Sequence, residues 1–500
     1  MDSAAPLPPC YRISTSDDVA VALRDLAAGE QVVMDGAALA LVDAVPRGHK
    51  FALRPLDVGE PVSKYGQVIG RATAQISPGA HVHTHNLVTL LSGVDEYRFA
   101  PRAAGAAPAT AEPLSFLGYR RADGRVGTRN EIWILCTVGC VGRTAERIAR
   151  LAAERCKGRV DGVYAFPHQF GCSQLGGDLD RTRKLIAALA LHPNAGGVLI
   201  LGLGCESNQL DPLLLEIPQS QRAHIRTFAA QAASDEMAEG LRLVDELVAI
   251  AAHARREPCP ISALAVGLKC GGSDGLSGIT ANPLVGRIAD RVTNAGGTAI
   301  LTEIPEIFGA ERLLMERAAD RQVFAGIAQI VNDFKRYFLE NGQPVHENPS
   351  PGNITGGITT LEEKSLGAVQ KGGHATVTQV LRYGERIERP GLALLEAPGN
   401  DGISSTALVA AGATVVLFTT GRGTPLGFPA PTLKISSNSP LAQSKPHWID
   451  FDAGRMLTGD AESLAEDFMR LIIDVASGRA ARNELNEERE IAIWKDGVTL

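Results

Sequence analysis

From residue 131 onward the chain alternates short apolar runs with stretches of helical periodicity, and no other feature constrains its fold as strongly. A strand is expected over 131–138, a helix over 143–154, a strand over 162–166, a helix over 179–191 and a strand over 197–203. Parallel neighbours need long crossovers, so this order predicts a parallel, doubly wound α/β sheet. Ligands of such sheets sit beyond the carboxyl ends of the strands. Those ends carry Cys140, then His168 with Cys172, then Cys205 with Glu206. A thiol needed only for packing has no reason to fall after the strand three times over.

The same logic applies to residues 267–286, GLKCGGSDGLSGITANPLVG, which follow an apolar run at 261–266. Cys270 stands there among glycines whose backbone can approach a ligand closely. Gly271, Gly272, Ser273 and Asp274 are expected to line a small anion-friendly pocket, and Asn282-Pro283 to restart the chain as a helix through a cap and a first-turn proline. A strand followed by Gly-Leu-x-Cys occurs at both 199–207 and 264–273, a faint internal repeat. Further polar strand ends are expected at Glu303 to Glu306, at Asn400-Asp401 and at Arg422 to Thr424, where Arg422 suits bidentate grip of a carboxylate. The glycine-rich start of 348–373 is expected to be a loop over a pocket.

The first segment, about 11–98, has short β-like runs broken by Gly and Pro and predicts a small all-β module. His81, His83 and His85 alternate, so their imidazoles would share one face and could hold one metal or anion. His49 and Lys50 sit beside a turn. An alanine- and proline-rich segment, 100–113, reads as a linker. The division is therefore 1–99 for the β domain, 100–117 for the linker, 118–256 for one α/β domain and 257–500 for a C-terminal α/β domain. With 500 residues, 45% hydrophobic content and a net charge of -7, the chain suits several globular domains and argues against nucleic acid as a partner. No apolar run approaches a bilayer span and no secretory signal opens the chain, so a cytoplasmic protein without membrane partners is expected.

The runs GYRRADGRVGTRN, FGCSQ, GLGCE, GLKCGGSDGLSGITANPLVG, NPSPGN and TTGRGTP together resemble the altronate dehydratase/galactarate dehydratase family, with an N-terminal module similar to SAF (β-clip) domains and Rossmann-like α/β domains behind it. The resemblance covers nearly the whole chain. It implies an iron-dependent hydro-lyase turning a sugar acid into a 2-oxo-3-deoxy acid, with Mn2+ as a substitute metal. The His-x-His-x-His-Asn run looks like the altronate-type and sulfolactate-lyase-type members. Altronate is thus the leading substrate, with galactarate-type and sulfo-lyase chemistry as alternatives.

Removing the weakly acidic C2 hydrogen of a carboxylate requires cations to stabilise the developing enediolate, plus a base and an acid for the C3 hydroxyl. His49, Lys50 and His168 are the expected proton shuttles, and Arg422, Thr424 and the Gly271 and Gly272 amides the carboxylate grip. Iron is expected either on His81, His83 and His85 or on Cys140, Cys172, Cys205 and Cys270, with Glu303 nearby; the first set suits a ferrous ion and the second an iron–sulfur cluster. A nicotinamide oxidoreductase lacks its G-x-G-x-x-G between first strand and helix, and a sugar-acid sensor lacks a recognition segment. Assembly into a homo-oligomer is left open.

Overall fold

The computed structural model describes residues 7–101 and 114–500. The segment expected as a linker falls, from 102 to 113, outside the described residues.

The N-terminal module is all β, as expected, and wholly antiparallel. One sheet runs Cys10–Tyr11, Val19–Ala22, Lys50–Ala52, His81–Val82, and a second runs Pro61–Lys64, Gln67–Ala72, Leu87–Val88. Gln31–Met34 and Ala37–Ala40 form a separate hairpin. The two-residue turns Asp35-Gly36 and Tyr65-Gly66 all have positive φ, the geometry that matches the twist of a tight hairpin. Val19, Val62, Ile69 and Val82 are buried beneath the sheets.

Glu131–Cys136, Gly162–Phe166, Ala195–Gly202 and Ile225–Ala229 form a four-stranded parallel sheet with Glu131–Cys136 and Ala195–Gly202 at its centre. These two central strands are buried at every residue, which is why they read as continuous apolar runs. Helices Gly142–Cys156, Gly176–Ala190 and Glu236–Ala251 cover it.

The C-terminal sheet has seven parallel strands in the order Val377–Leu381, Gly391–Leu395, Thr298–Leu301, Ala265–Cys270, Val415–Thr420, Thr432–Ser436, Phe451–Asp452. Ala265–Cys270 is its earliest strand. The next lies on one side of it and Val415–Thr420 on the other, so the strand order reverses at the end of Ala265–Cys270. Cys270 thus stands at the topological switch point.

Two local expectations need correction. Residues 261–263 form a 3-10 turn and the strand begins at Ala265, because the apolar run continues through Leu268. The next helix, Ala281–Asn294, has Thr280 at its N-cap position, so Asn282 is not the cap. Asn282 is buried and accepts from Thr419 Oγ1 at 2.7 Å, tying the helix to the neighbouring strand.

The α/β domains meet where His192 Nε2 donates to Ala413 O at 3.1 Å and Thr128 Oγ1 to Thr414 O at 2.9 Å. Ser115–Arg120 also pairs with Glu257–Pro260 across the boundary. The β module docks on the C-terminal domain through two neighbouring buried carboxylates: Glu363 receives Lys50 Nζ at 2.8 Å and Lys64 Nζ at 2.7 Å, and Glu362 accepts from Leu90 N at 2.7 Å. Among the described residues no helix is long and apolar enough to cross a membrane.

Candidate functional site

A cavity of about 560 Å³ opens at the switch point, lined by Cys270 to Ser273 from the strand end, Glu306, Asn348 and Asn353, Lys364, and the Asn400-Asp401 end of helix Asp401–Ala411. The sequence places each piece for a local reason. Cys270 ends its strand; Asn400 caps its helix by accepting from Ile403 N. Gly271 has no room for a side chain, because a Cβ would lie 2.6 Å from Phe418 and 2.7 Å from Asp401. Residues 348–373, expected as a loop, do cover the cavity but contain the helices Pro351–Thr355 and Leu361–Ala368.

Behind the wall is a compact set of buried charges. Lys269 Nζ contacts Glu303 Oε1 and lies 2.8 Å from Asp401 Oδ1. Lys364 Nζ lies 2.8 Å from Glu306 Oε1 and donates to Asn348 Oδ1 at 2.9 Å and Asn353 Oδ1 at 3.1 Å. Lys371 Nζ is 3.8 Å from Glu303 Oε2. Cys270 Sγ is 3.5 Å from Glu303 and 3.3 Å from Glu306. Glu303 holds this position at φ +69°, a left-handed conformation that costs a non-glycine residue of order 1 kcal/mol and is retained where function over-determines it.

The environments of the two glutamates push their protonation apart. Burial and the neighbouring Glu306 raise Glu303 above the ordinary carboxylate range. For Glu306 burial also acts upward, but Lys364, Lys269 and Lys371 outweigh it and hold the carboxylate down near about 2. Burial, with Glu303 beside it, pushes the Cys270 thiol up to about 12. Such a divergent pair is the signature of an acid and a base assigned by surroundings.

Cys270, Glu303 and Glu306 present one ligand atom each within 4.8 Å of one another, a spacing that could hold an ion. The ammonium groups of Lys269, Lys364 and Lys371, however, already stand against the two glutamates. A divalent cation would have to displace them, so this donor set fits iron poorly.

The imidazoles fit better. His49 Nδ1 lies 3.1 Å from His81 Nε2, and the rings of His49, His81 and His83 stand with centroids 4.9 to 5.3 Å apart, with His85 5.6 Å from His81. His49 Nε2 donates to Thr355 O and His83 Nε2 to Ile354 O, each at 3.1 Å, so Nδ1 of both rings is the unprotonated, accepting nitrogen, with His81 Nε2 against that of His49 and Thr84 Oγ1 3.1 Å from that of His83. Burial and its neighbouring imidazoles lower His81 to about 4, and burial lowers His49 and His83, so the rings are neutral as metal ligation requires.

The expected site residues therefore fall into separate groups. Cys270, Gly271, Gly272, Ser273 and Glu303 come together at or directly behind the cavity. The Gly271 N–H is spent on Thr419 O, so this amide does not face a ligand. Asp274 is held by Ser277, Ser437 and Asn438 and shapes the turn. Arg422 is exposed and donates to Gly352 O at 2.9 Å, and Thr424 Oγ1 accepts from Leu426 N. His49 joins His81, His83 and His85. Lys50 is fully buried on Glu363, Thr359 and Gly357, with burial lowering it to about 8 against the pull of Glu363. His168 is buried in the other α/β domain, with Nε2 on Cys136 O and Nδ1 on Phe170 N. Cys140, Cys172 and Cys205 are exposed at the ends of the four-stranded sheet, away from buried Cys270. Sequence reasoning missed Lys269, Lys364 and Lys371, and gave Glu306 and Asp401 no role. A lysine inside the otherwise apolar run AVGLKC was the available signal.

Three family profiles match the chain in order: the altronate/galactarate dehydratase SAF domain over residues 9–90, the D-galactarate dehydratase/altronate hydrolase second domain over 118–252, and the D-galactarate/altronate dehydratase C-terminal domain over 261–499. The chain is 49% identical to the altronate dehydratase of Escherichia coli (strain K12), covering 98% of this chain and 99% of the relative. It is 47% identical to the altronate dehydratase of Bacillus subtilis (strain 168), with the same coverage. It is 33% identical to the galactarate dehydratase (L-threo-forming) of E. coli K12, over 94% and 92% of the two chains.

Proposed function

The chain belongs to the altronate/galactarate dehydratase family, and from that premise we propose that it is a hydro-lyase converting D-altronate to 2-dehydro-3-deoxy-D-gluconate. The altronate-named relatives share more of its sequence than the galactarate-named one, which favours the hexonate. Eight unpaired cysteines accord with a cytoplasmic setting.

The observation that carries the mechanism is the Lys364–Glu306 pair on the cavity wall. The substrate carboxylate binds Lys364, Asn348 and Asn353. In doing so it draws the ammonium from Glu306, whose basicity rises as its partner is taken. Glu306 then accepts the C2 proton while Lys364 and Lys269 offset the enediolate charge. Glu303, whose carboxyl burial and Glu306 bias toward the protonated form, is assigned as the proton source for the departing C3 hydroxyl, and the enol ketonises to the 2-oxo acid. Iron, with Mn2+ as a substitute, would be held by the imidazoles of His49, His81 and His83 and would supply Lewis-acid polarisation of substrate oxygens.

The test is a screen of D-altronate, galactarate and sulfolactate for 2-oxo acid or sulfite release under anaerobic conditions with ferrous iron. Release of 2-oxo acid from D-altronate above the other two supports the reading. Preference for galactarate or sulfolactate replaces it.

A further inference from the structure

The site just described uses none of the three thiols that end the four-stranded sheet. Cys140 lies in the turn Gly139–Val141, after strand Glu131–Cys136. Cys172 follows strand Gly162–Phe166, and Cys205 follows strand Ala195–Gly202. These strands are adjacent and parallel, with Glu131–Cys136 in the middle, so all three loops leave the same end of the sheet. All eight cysteines are free; five are buried, and the exposed ones are these three.

The loops are fastened to each other. Gly139 N donates to Phe170 O at 2.9 Å, joining the Cys140 and Cys172 loops. Asn208 N donates to Gly171 O at 2.9 Å and Asn208 Nδ2 to Thr137 O at 3.1 Å, joining the Cys205 loop to both. Buried Glu206 accepts from Leu203 N, Gly204 N and Thr137 Oγ1. A Cβ on Gly171 would come 2.0 Å from Thr137 O, and one on Gly139 2.8 Å from His168 O, so the loops approach as closely as backbone allows. His168 braces the same junction through Cys136 O and Phe170 N. Ser173, beside Cys172, is left-handed at φ +55°. Two buried side-chain atoms next to these thiols, Gln174 Nε2 and Asn208 Oδ1, lack any hydrogen-bond partner. A rigid, strained scaffold with unspent polar atoms is out of proportion to three surface thiols whose side-chain partners are only Gln231 on Cys205 and Ser173 on Cys172.

We propose that Cys140, Cys172 and Cys205 hold an iron–sulfur cluster, with one iron left without a protein thiolate and open to an oxygen donor of a small anion. The three sulfurs do not form a group within 4.8 Å of one another, so a single ion is disfavoured. A cluster gives each thiolate its own iron and accepts the wider spread, and soft thiolates select it over hard ions. The proposal stands on these loops alone and is independent of the substrate and of any ion on the imidazoles.

The test is anaerobic reconstitution of the full chain with ferrous iron and sulfide, reading bound iron, acid-labile sulfide and visible absorption rather than turnover. The expected result is equal iron and sulfide, roughly four of each per chain as in a cubane cluster, with a broad visible band. Cys140→Ala, Cys172→Ala and Cys205→Ala should each lower bound sulfide and the band at least fivefold with unchanged circular dichroism. Cys270→Ala and His83→Ala should keep both. Iron bound without sulfide, or a band that survives the three exposed-cysteine changes, overturns the proposal.

Discussion

Lys364 Nζ stands 2.8 Å from Glu306 Oε1, both side chains almost wholly buried, on the wall of the cavity at the switch point of the seven-stranded sheet. An ammonium there serves as both substrate anchor and brake on the base. Lys364→Met should therefore raise KM and lower kcat together, reducing kcat/KM by about 10² to 10⁴. Steady-state kinetics with D-altronate checks this; a variant with only KM changed would restrict Lys364 to binding.

Glu363 pairs both buried lysines of the β module with the C-terminal domain, since Lys50 and Lys64 both end on it. Two ammonium groups share one carboxylate, and the deficit shows in Lys50, which burial lowers to about 8. Glu363→Gln leaves both uncompensated and should destabilise the docked state by about 3–5 kcal/mol. Thermal unfolding should show the module's transition separating below that of the α/β body; a single unshifted transition would contradict this.

A Cβ on Gly275 would lie 1.9 Å from Gly48 O, where the module's turn meets the glycine-rich loop. Gly275→Ala should push the module off and expose its inner face to protease, while Gly124→Ala, at a turn with open space, should not do so. Limited proteolysis reads the difference.

His192 supplies the pH dependence. It is buried between the α/β domains, stacked on Trp133, and burial lowers it to about 3 despite its bond to Ala413 O. An unfolded histidine titrates near 6.5, so below that value the unfolded chain binds the extra proton and the native one does not. The stability from this group is complete above about pH 6.5 and is lost as pH falls toward 3. His192→Gln should flatten the slope of unfolding free energy over that window; an unchanged slope would reassign it to other groups.

The parallel sheets were legible because their central strands are buried at every position, hence almost wholly apolar, and alternate with helices of ordinary length. Ile225–Ala229, Val377–Leu381 and Phe451–Asp452 were not, since edge strands that are short or half-exposed lose the continuous apolar signal, and Thr432–Ser436, though interior and buried, is broken by Thr432, Lys434 and Ser436. Glycine and cysteine marked the strand ends around Cys270. The lysines behind them were hidden, because Lys364 lies in a helix beside two glutamates, a pattern that ordinarily denotes a solvated face. The repeat of Gly-Leu-x-Cys is likewise only partly structural: Cys270 ends its strand and is buried, whereas Cys205 lies past its strand and is exposed.

The most direct test is formation of 2-dehydro-3-deoxy-D-gluconate from D-altronate, followed by NMR for the wild-type chain and for Glu306→Gln side by side in iron-supplemented anaerobic buffer. The account predicts conversion by the wild type and a rate at least about 10²-fold lower for a folded Glu306→Gln. No product from the wild type, or equal rates for the two, would contradict it.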